Sequence, residues 1–493
     1  MRPRRSLSSP AAVLAAGLCL AAPATAQDAT GSAPLPDALT AHLSGQGVTI
    51  GTDDSGAIVV DIPGADGPVR LTLRGGTIQP GDTLPRLVLD AGDTVSLDGP
   101  GVRDDYPADI EILSGELVLH AAPMEDGAWD HVARSESVIM EARGGAEPRQ
   151  RLDLRDFTAT LTTSAGRGPS LRATVSDLRN LVSDTPGDLD ASGYAVTRLR
   201  DVAVALTPPE TPDPTRAGMS FSLETGQGAF MNGLGAVPQT GAFSGTSLSY
   251  EETAESLSVA LSADMITLDG LAGMAPMPGL PETSGAMASV SAPTSMDRLA
   301  FSLTAPRTAD TATLELTMEG ISAPRETWTT IDPDGVLPRS DSAVRLRLTA
   351  RGADPAAMAG VVGMDAAGAM APGDIGTAAS AIETVEIDEL TVTTLGVTFS
   401  AEGALDMPRG GATGGARPSG EISLRLSGLS ALASRAQSAT SPTGRQIASG
   451  LSMAQMMASS YLDPAGTDTL EGTLSISPGG AVSLNGQQLV PAN

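Results

Sequence analysis

Histidine is the scarcest of the residues that could do chemistry in this chain, which has only His42, His120 and His131. A zinc site needs ligands at defined spacing, as in H-E-x-x-H, and none of the three stands in such a pattern. His42 falls in a weakly patterned leader, His120 ends the apparent strand Leu117-Val118-Leu119, and His131 follows Trp129 and Asp130 in what reads as a loop. All three are expected to be solvated or strand-end residues. Serine is abundant, but no G-x-S-x-G elbow occurs and the serines follow the outward face of strands. Adjacent carboxylates occur at Asp53-Asp54, Asp104-Asp105, Glu251-Glu252 and Asp388-Glu389. A glycosidase sets its carboxylates across a saccharide cleft usually lined by aromatics. With 6 Phe, 4 Tyr and 2 Trp in 493 residues, aromatics are scarce, so these pairs read as solvated turns.

All 30 basic residues are arginine, which removes the P-loop lysine, the Schiff-base lysine and the Ser-Lys dyad. The nearest fragment to a calcium loop is Asp332-Pro333-Asp334-Gly335, but its glycine comes two places early for an EF-hand, and it reads as a tight turn. The Gly-Gly pairs between 410 and 415 lack the strand and helix that a phosphate loop requires. No catalytic, cofactor-binding or metal-ligating residue is assigned, and the chain reads as a non-enzyme.

Apolar features carry more information. Met453, Met456 and Met457 cluster at helical spacing, and Met274, Met277 and Met287 surround a Pro-Gly segment. Methionine fills irregular cores and also lines adaptable apolar surfaces. Both readings stand at this point, core filling and a mobile lid over an apolar groove.

The elements that must position these residues are mostly strands. Short runs of period-2 alternation recur, as at Val69/Leu71/Leu73, Leu299/Phe301/Leu303, Val344/Leu346/Leu348 and Ile422/Leu424/Leu426, each closed by Gly, Pro, Asp or Asn. This predicts a mainly β fold, a long, curved, mostly antiparallel multi-hairpin sheet, open as a groove or folded as a sandwich. More strands are expected than an open twisted sheet accommodates without curling. Two segments break the alternation and predict packed helices near 354–383 and 429–462, the second pausing at Ser441-Pro442. No fixed-period repeat is evident.

Expected linkers are Pro208 to Ala217, Met274 to Gly285 and Pro408 to Gly420. They suggest an N-terminal β-rich part over 49–207 and a C-terminal part over 218–493, which could also form one continuous unit.

Residues 1–26 have the three parts of a secretory signal: Arg2, Arg4 and Arg5, the apolar run Ala11 to Ala22, and Ala24-Thr25-Ala26 before Gln27. Cleavage after Ala26 is expected, followed by a weakly ordered leader over 27–48. The only cysteine, Cys19, lies inside the signal and follows Leu18, where a lipoprotein signal wants a small residue, so neither lipidation nor a disulfide is expected. The apolar run is shorter than the roughly 17 residues a spanning helix needs. The mature chain is therefore expected to lack a transmembrane span and to reside in a Gram-negative periplasm, with secretion as the alternative. A net charge of -28 disfavours nucleic acid.

The stretch Ile331-Asp332-Pro333-Asp334-Gly335-Val336-Leu337-Pro338-Arg339 and the C-terminal run Leu470 to Pro491, with Leu484-Asn485-Gly486-Gln487-Gln488-Leu489, resemble the bacterial domain of unknown function 2125 family. The Leu405 to Leu426 hairpin and the helical segments between them resemble it as well. The similarity is clearest over 300–493 and looser from about Asp105. It implies an exported β-rich architecture and supplies no activity. More remotely, successive hairpins in an exported chain are similar to AsmA-like envelope proteins, whose curved sheets are thought to hold or guide lipid. Those proteins keep an N-terminal membrane anchor, in contrast to the cleavable signal read here. The functional expectation is a non-enzymatic periplasmic protein that binds an apolar or lipid ligand in envelope maintenance. The alternative is a scaffold whose acidic surface meets a basic protein or cell-wall partner.

Overall fold

The computed structural model describes residues 49–491, apart from 63–68, 80–85, 99–108, 126, 144–148, 165–166, 184–193, 208–219, 233–238, 254–255, 270–293, 307–308, 340–341, 353–381 and 408–416. The expected signal peptide, the leader with His42, Asp104-Asp105, the helical segment expected over 354–383 as far as residue 381, and the first two linkers lie outside the described residues, and 382–383 are not helical. Of the third linker, Gly420 is already inside a strand. Among the described residues the chain is a mainly β, curved, antiparallel multi-hairpin sheet of 25 strands with a few packed helices. It divides into an N-terminal unit reaching to about residue 238 and a C-terminal unit from about 254, with β14 (Gln239–Glu252) apportioned between them.

The N-terminal unit is organised by β9 (Trp129–Arg143). One edge of β9 pairs along its length with β10 (Arg149–Ser164). Its other edge pairs twice: Val138 to Arg143 with β7 (Asp109–Gly115) and Trp129 to Arg134 with β8 (Leu117–Pro123). The sheet therefore forks between Gly115 and Leu117. One arm continues from β7 through β6 (Thr94–Asp98), β3 (Val69–Arg74) and β2 (Ile58–Ile62) to β1 (Thr49–Thr52). The other continues from β8 through β5 (Arg86–Leu89) to β4 (Thr77–Gln79). Val60, Leu71 and Leu73 of the first arm pack in one buried cluster with Leu87, Leu89, Leu117 and Leu119 of the second, above Leu154 and Phe157. Each such side chain contributes roughly 1.5–3 kcal/mol by leaving water. The fork works because Gly115 adopts φ 88°, and a Cβ there would overlap the Ser137 carbonyl oxygen.

Beyond β9 and β10 the chain meanders through β11 (Arg167–Ser183), β12 (Tyr194–Thr207) and β13 (Ser220–Asn232). Pairing is interrupted mid-strand, without a change of register, at two aspartates with left-handed backbone, Asp156 (φ 47°) and Asp201 (φ 52°). Arg155 pairs with Asp177 and the next partners are Thr158 and Thr174, while Arg200 pairs with Gln227 and the next are Ala203 and Glu224. Asp is among the few non-glycine residues that tolerate this conformation. The Asp156 carboxylate accepts the Ser176 hydroxyl at 2.7 Å. The segments Leu154-Arg155-Asp156-Phe157 and Leu199-Arg200-Asp201-Val202 thus repeat one device on β10 and β12, a signal visible in the sequence that a search for fixed periods passes over.

In the C-terminal unit, β15 (Ser256–Asp269), β16 (Thr294–Pro306), β17 (Thr311–Ile321), β18 (Ser342–Arg351), β19 (Thr384–Thr394), β20 (Val397–Asp406), β21 (Ser419–Ser427) and β23 (Thr469–Ile476) pair in that order, all antiparallel. The outer edge of β23 receives β22 (Asp463–Gly466) and β24 (Val482–Leu484), and β25 (Gln487–Val490) pairs with β24 through an Asn485-Gly486 turn. Both turn residues have positive φ, 48° and 77°, as a two-residue hairpin requires.

Three helices form a layer at one end of this sheet: α1 (Arg325–Ile331), which sequence patterning did not anticipate, α2 (Leu429–Ala436) and α3 (Pro442–Tyr461). The second and third lie where the sequence places them. Buried Leu337, Leu432 and Ala436 gather Trp328, Val336, Leu395, Val397, Ile447, Ala448 and Leu451 around them. Leu395 occupies the first position of the β19–β20 turn at φ 52°, a conformation that costs a non-glycine residue roughly 1–2 kcal/mol. Its contact with the helical layer offsets that strain.

Candidate functional site

Antiparallel pairing carries the local alternation of each strand across the whole C-terminal sheet. One row runs Leu261, Phe301, Leu316, Leu346, Leu390, Ala401, Leu424, each opposite the next. A second row, two residues along, runs Leu299, Met318, Val344, Val392, Phe399, Leu426, Leu470. A third includes Val259, Leu303, Leu314, Leu348 and Ile387. The rows stay in step because the register shifts between Ile387 and Leu390, which puts both on one face and turns Asp388 and Glu389 to the other. At about 4.8 Å per strand, eight strands carry this face over roughly 34 Å, and three rows give it a width of about 14 Å.

Leucines of the N-terminal core such as Leu71 and Leu87 are fully buried; in these rows Val259, Leu303 and Ala401 are buried too, whereas Leu299, Phe301, Leu316, Leu346, Leu348, Phe399, Leu424 and Leu426 remain half-buried. The apolar face is therefore only partly covered. Leu395 and Val397 mark its end beneath the helical layer.

The opposite face is laced by cross-strand ion pairs: Arg345 with Glu319 at 2.9 Å, Arg351 with Glu386 at 2.9 Å, Arg425 with Glu471 at 2.9 Å and Arg347 with Glu315 at 3.4 Å. Exposed pairs of this kind contribute about 0–1 kcal/mol each, so their effect is to define which face is wet. Asp388 accepts the Thr349 hydroxyl at 2.6 Å and lies 4.0 Å from Arg347, so this member of an adjacent carboxylate pair belongs to the ion-pair lattice.

Other sequence candidates are used structurally. The Asp53 carboxylate accepts Ser55 N, Ser55 Oγ and Ala57 N at 2.8, 2.6 and 3.0 Å and shapes the β1–β2 turn, and these donors hold it below the usual carboxylate range. Asp54 is exposed and Glu251 lies in β14. His120 is an interior residue of β8 rather than a strand end, and burial, then Arg134 and Arg86, push its imidazole pKa down. His131 corrects the loop reading: it lies within β9, fully buried, with Nε2 3.0 Å from Thr163 Oγ1. The alternation that would have found it, Trp129/His131/Ala133/Ser135, was masked by its polar members. Among the described residues no group of three or more His, Cys, Asp or Glu is arranged to hold a metal ion.

The turn at 332–335 proves to be a double fastening. Asp332, buried to 1% exposure, accepts Val336 N at 3.1 Å and Leu337 N at 2.9 Å, while Gly335 N bonds its carbonyl. Asp334 reaches across to the start of α3 and accepts Ser441 N at 2.9 Å, Ser441 Oγ at 2.5 Å and Thr440 Oγ1 at 3.0 Å. The cap residue Ser441 in turn accepts Gly444 N. Helix α2 begins at Gly428, which offers no side chain, and Asp468 of the β22–β23 turn supplies the acceptor for Ser430 N at 2.7 Å and Ala431 N at 2.9 Å. An aspartate from another element thus caps α2 directly and, at α3, holds the capping serine in place.

These caps make an acid prediction. The Ser441 side chain and backbone hold Asp334 below the usual carboxylate range, with Thr440 adding to the effect. Burial alone would raise Asp468, but the Ala431 and Ser430 donors outweigh it and leave it lowered. A carboxylate lowered by folding stabilises fully above its unfolded pKa, and that contribution is lost as pH falls through the folded value. The helical layer should loosen below about pH 4, seen as a Trp328 fluorescence change in a Trp129→Phe background. The Asp334→Asn/Asp468→Asn variant should lose most of this pH dependence. An unchanged acid transition in that variant counts against the caps.

The fold and this face define a class: a mainly β, multi-hairpin sheet protein with one wet, ion-paired face and one partly covered apolar face. Compared with family models, curated proteins and solved structures, the chain matches none. No helix among the described residues is long and apolar enough to cross a membrane.

Proposed function

We propose that this chain is a non-enzymatic protein of the bacterial cell envelope that holds an apolar ligand, such as a lipid acyl chain, against the hydrophobic face of its C-terminal sheet. The observation that carries this reading is the partial cover over the apolar rows through Leu346, Leu424 and Leu426, beside an N-terminal core in which the same residue types are buried. Affinity would come from burying apolar area at about 25 cal/mol per Å2 rather than from a few polar contacts. A long face with few polar anchors suits a chain-like ligand of loosely defined headgroup. Export through residues 1–26 to the periplasm, and the resemblance to the domain of unknown function 2125 family and to AsmA-like proteins, belong to the same proposal.

Native mass spectrometry of the gently purified exported chain, with an organic extract analysed for lipids, tests this. A stoichiometric, detergent-displaceable apolar ligand is the expected result. Leu424→Asp/Leu426→Asp should abolish its retention, since two carboxylates would stand in adjacent rows of the face. A variant that stays folded and keeps its ligand would remove the face from consideration, and a bare mass that takes up no lipid on incubation would refute the binding itself.

A further inference from the structure

Helix α3 is apolar on two sides. Its inner side sets Ile447, Ala448 and Leu451 into the helical layer that closes the end of the apolar face. Its outer side exposes Met453 (58%), Met456 (65%), Met457 (55%) and Tyr461 (36%). From Gln446 to Leu462 it carries no charged residue, in a chain with 58 acidic side chains. The patch does not stop at the helix. Gln487 of β25 donates through Nε2 to Ser460 O at 3.3 Å, and Leu489 of the same short strand is exposed as well. A surface helix normally presents charged residues on its solvent side, and this one presents three methionines and a tyrosine among uncharged serines.

We infer that the outer side of α3, with Leu489, docks onto a neutral lipid surface, bringing the helix-closed end of the apolar face to its source of ligand. The inference rests on the proposed apolar-ligand reading for its purpose, and on the patch for its geometry. Charge selects the occupant. A second copy of a chain with net charge -28 would be repelled at close approach, and a basic protein would find no carboxylate on this stretch of helix to pair with. A zwitterionic lipid surface is neither repelled nor in need of a partner charge. Methionine suits a fluid, irregular surface, and Tyr461 places an amphipathic ring where polar and apolar regions meet.

The test is flotation of the exported chain, its N-terminus verified by intact mass, with vesicles of phosphatidylcholine alone or of equimolar phosphatidylcholine and phosphatidylglycerol. Capture of a soluble fluorescent fatty acid is measured in parallel. The wild type should float with phosphatidylcholine, and less well with the anionic vesicles at low salt than at high salt. Met453→Gln/Met456→Gln/Met457→Gln should lower partitioning about a hundredfold, as three methionines give up part of their burial, with fatty-acid capture unchanged. Met456→Gln alone should give a smaller loss in the same direction, which keeps the test informative if the triple variant folds poorly. Equal flotation of wild type and variants overturns the inference. So does a wild type that captures fatty acid but ignores vesicles, a result that leaves the proposed function standing. A wild type that floats but captures nothing overturns the proposed function instead. Self-association that tracks the methionines, without flotation, assigns the patch to a second copy and likewise overturns the lipid surface.

Discussion

Gly115→Ala should lower the stability of the N-terminal unit by about 4 kcal/mol. Two terms add. Forcing an L-residue to φ 88° costs roughly 1–2 kcal/mol, as at any left-handed position. The new methyl group would also overlap the Ser137 carbonyl oxygen, so β7 must move off β9 at the fork, weakening buried ladder bonds at about 1–3 kcal/mol each. Gly127 provides the control: it has φ 78° and nothing within 4 Å of a Cβ, so Gly127→Ala should show only the conformational term, about 1 kcal/mol. The chain contains 2 tryptophans, Trp129 in the N-terminal core and Trp328 in the helical layer. Urea unfolding of the Trp328→Phe protein therefore reports this unit alone. Equal midpoints for the two alanine variants would show that the fork yields easily and is not a rigid branch point.

The second large effect is expected at Asp332. Replacing it with alanine leaves Val336 N and Leu337 N without their acceptor in a nearly closed site, at about 1–3 kcal/mol for each buried donor, so a loss of about 3 kcal/mol is expected. Asp332→Asn retains one acceptor oxygen and should lose roughly half as much. Because Leu337 is a buried centre of the helical layer, the loss should appear in Trp328 fluorescence of the Trp129→Phe protein and leave the N-terminal transition unmoved. Calcium should not rescue the variant, since the aspartates of this turn are engaged with N–H and O–H donors. Calcium-dependent recovery of wild-type stability would contradict that assignment.

Particular residues show how much of this was legible beforehand. Val344, Leu346 and Leu348 declare a strand because side-chain alternation is a property of the backbone itself. Helix α3 was legible from Ile447, Leu451, Ala454, Ala458 and Tyr461 at helical spacing, and the pause read at Ser441-Pro442 is its cap residue and first-turn proline. Helix α1 was not, since seven residues provide too few turns for a periodic signal. His131 was misplaced because a polar residue on the buried side of a strand looks like a break in the pattern. Asp332 to Gly335 was read as a tight turn, and Gly335 N on the Asp332 carbonyl closes one; local spacing could not show that Asp334 takes its donors from the start of a helix more than a hundred residues away.

The mainly β class, the two C-terminal helices and the absence of lysine-based chemistry follow from neighbours along the chain or from composition, and so are readable without a fold. Which apolar face is packed and which is partly covered depends instead on long-range pairing. The leucines of Leu71 and Leu424 alternate in the same way, and their difference arises from the fork that folds two arms over one core. Long-range pairing likewise decides the task of the aspartates, since a carboxylate takes its role from the donors that the pairing register brings to it.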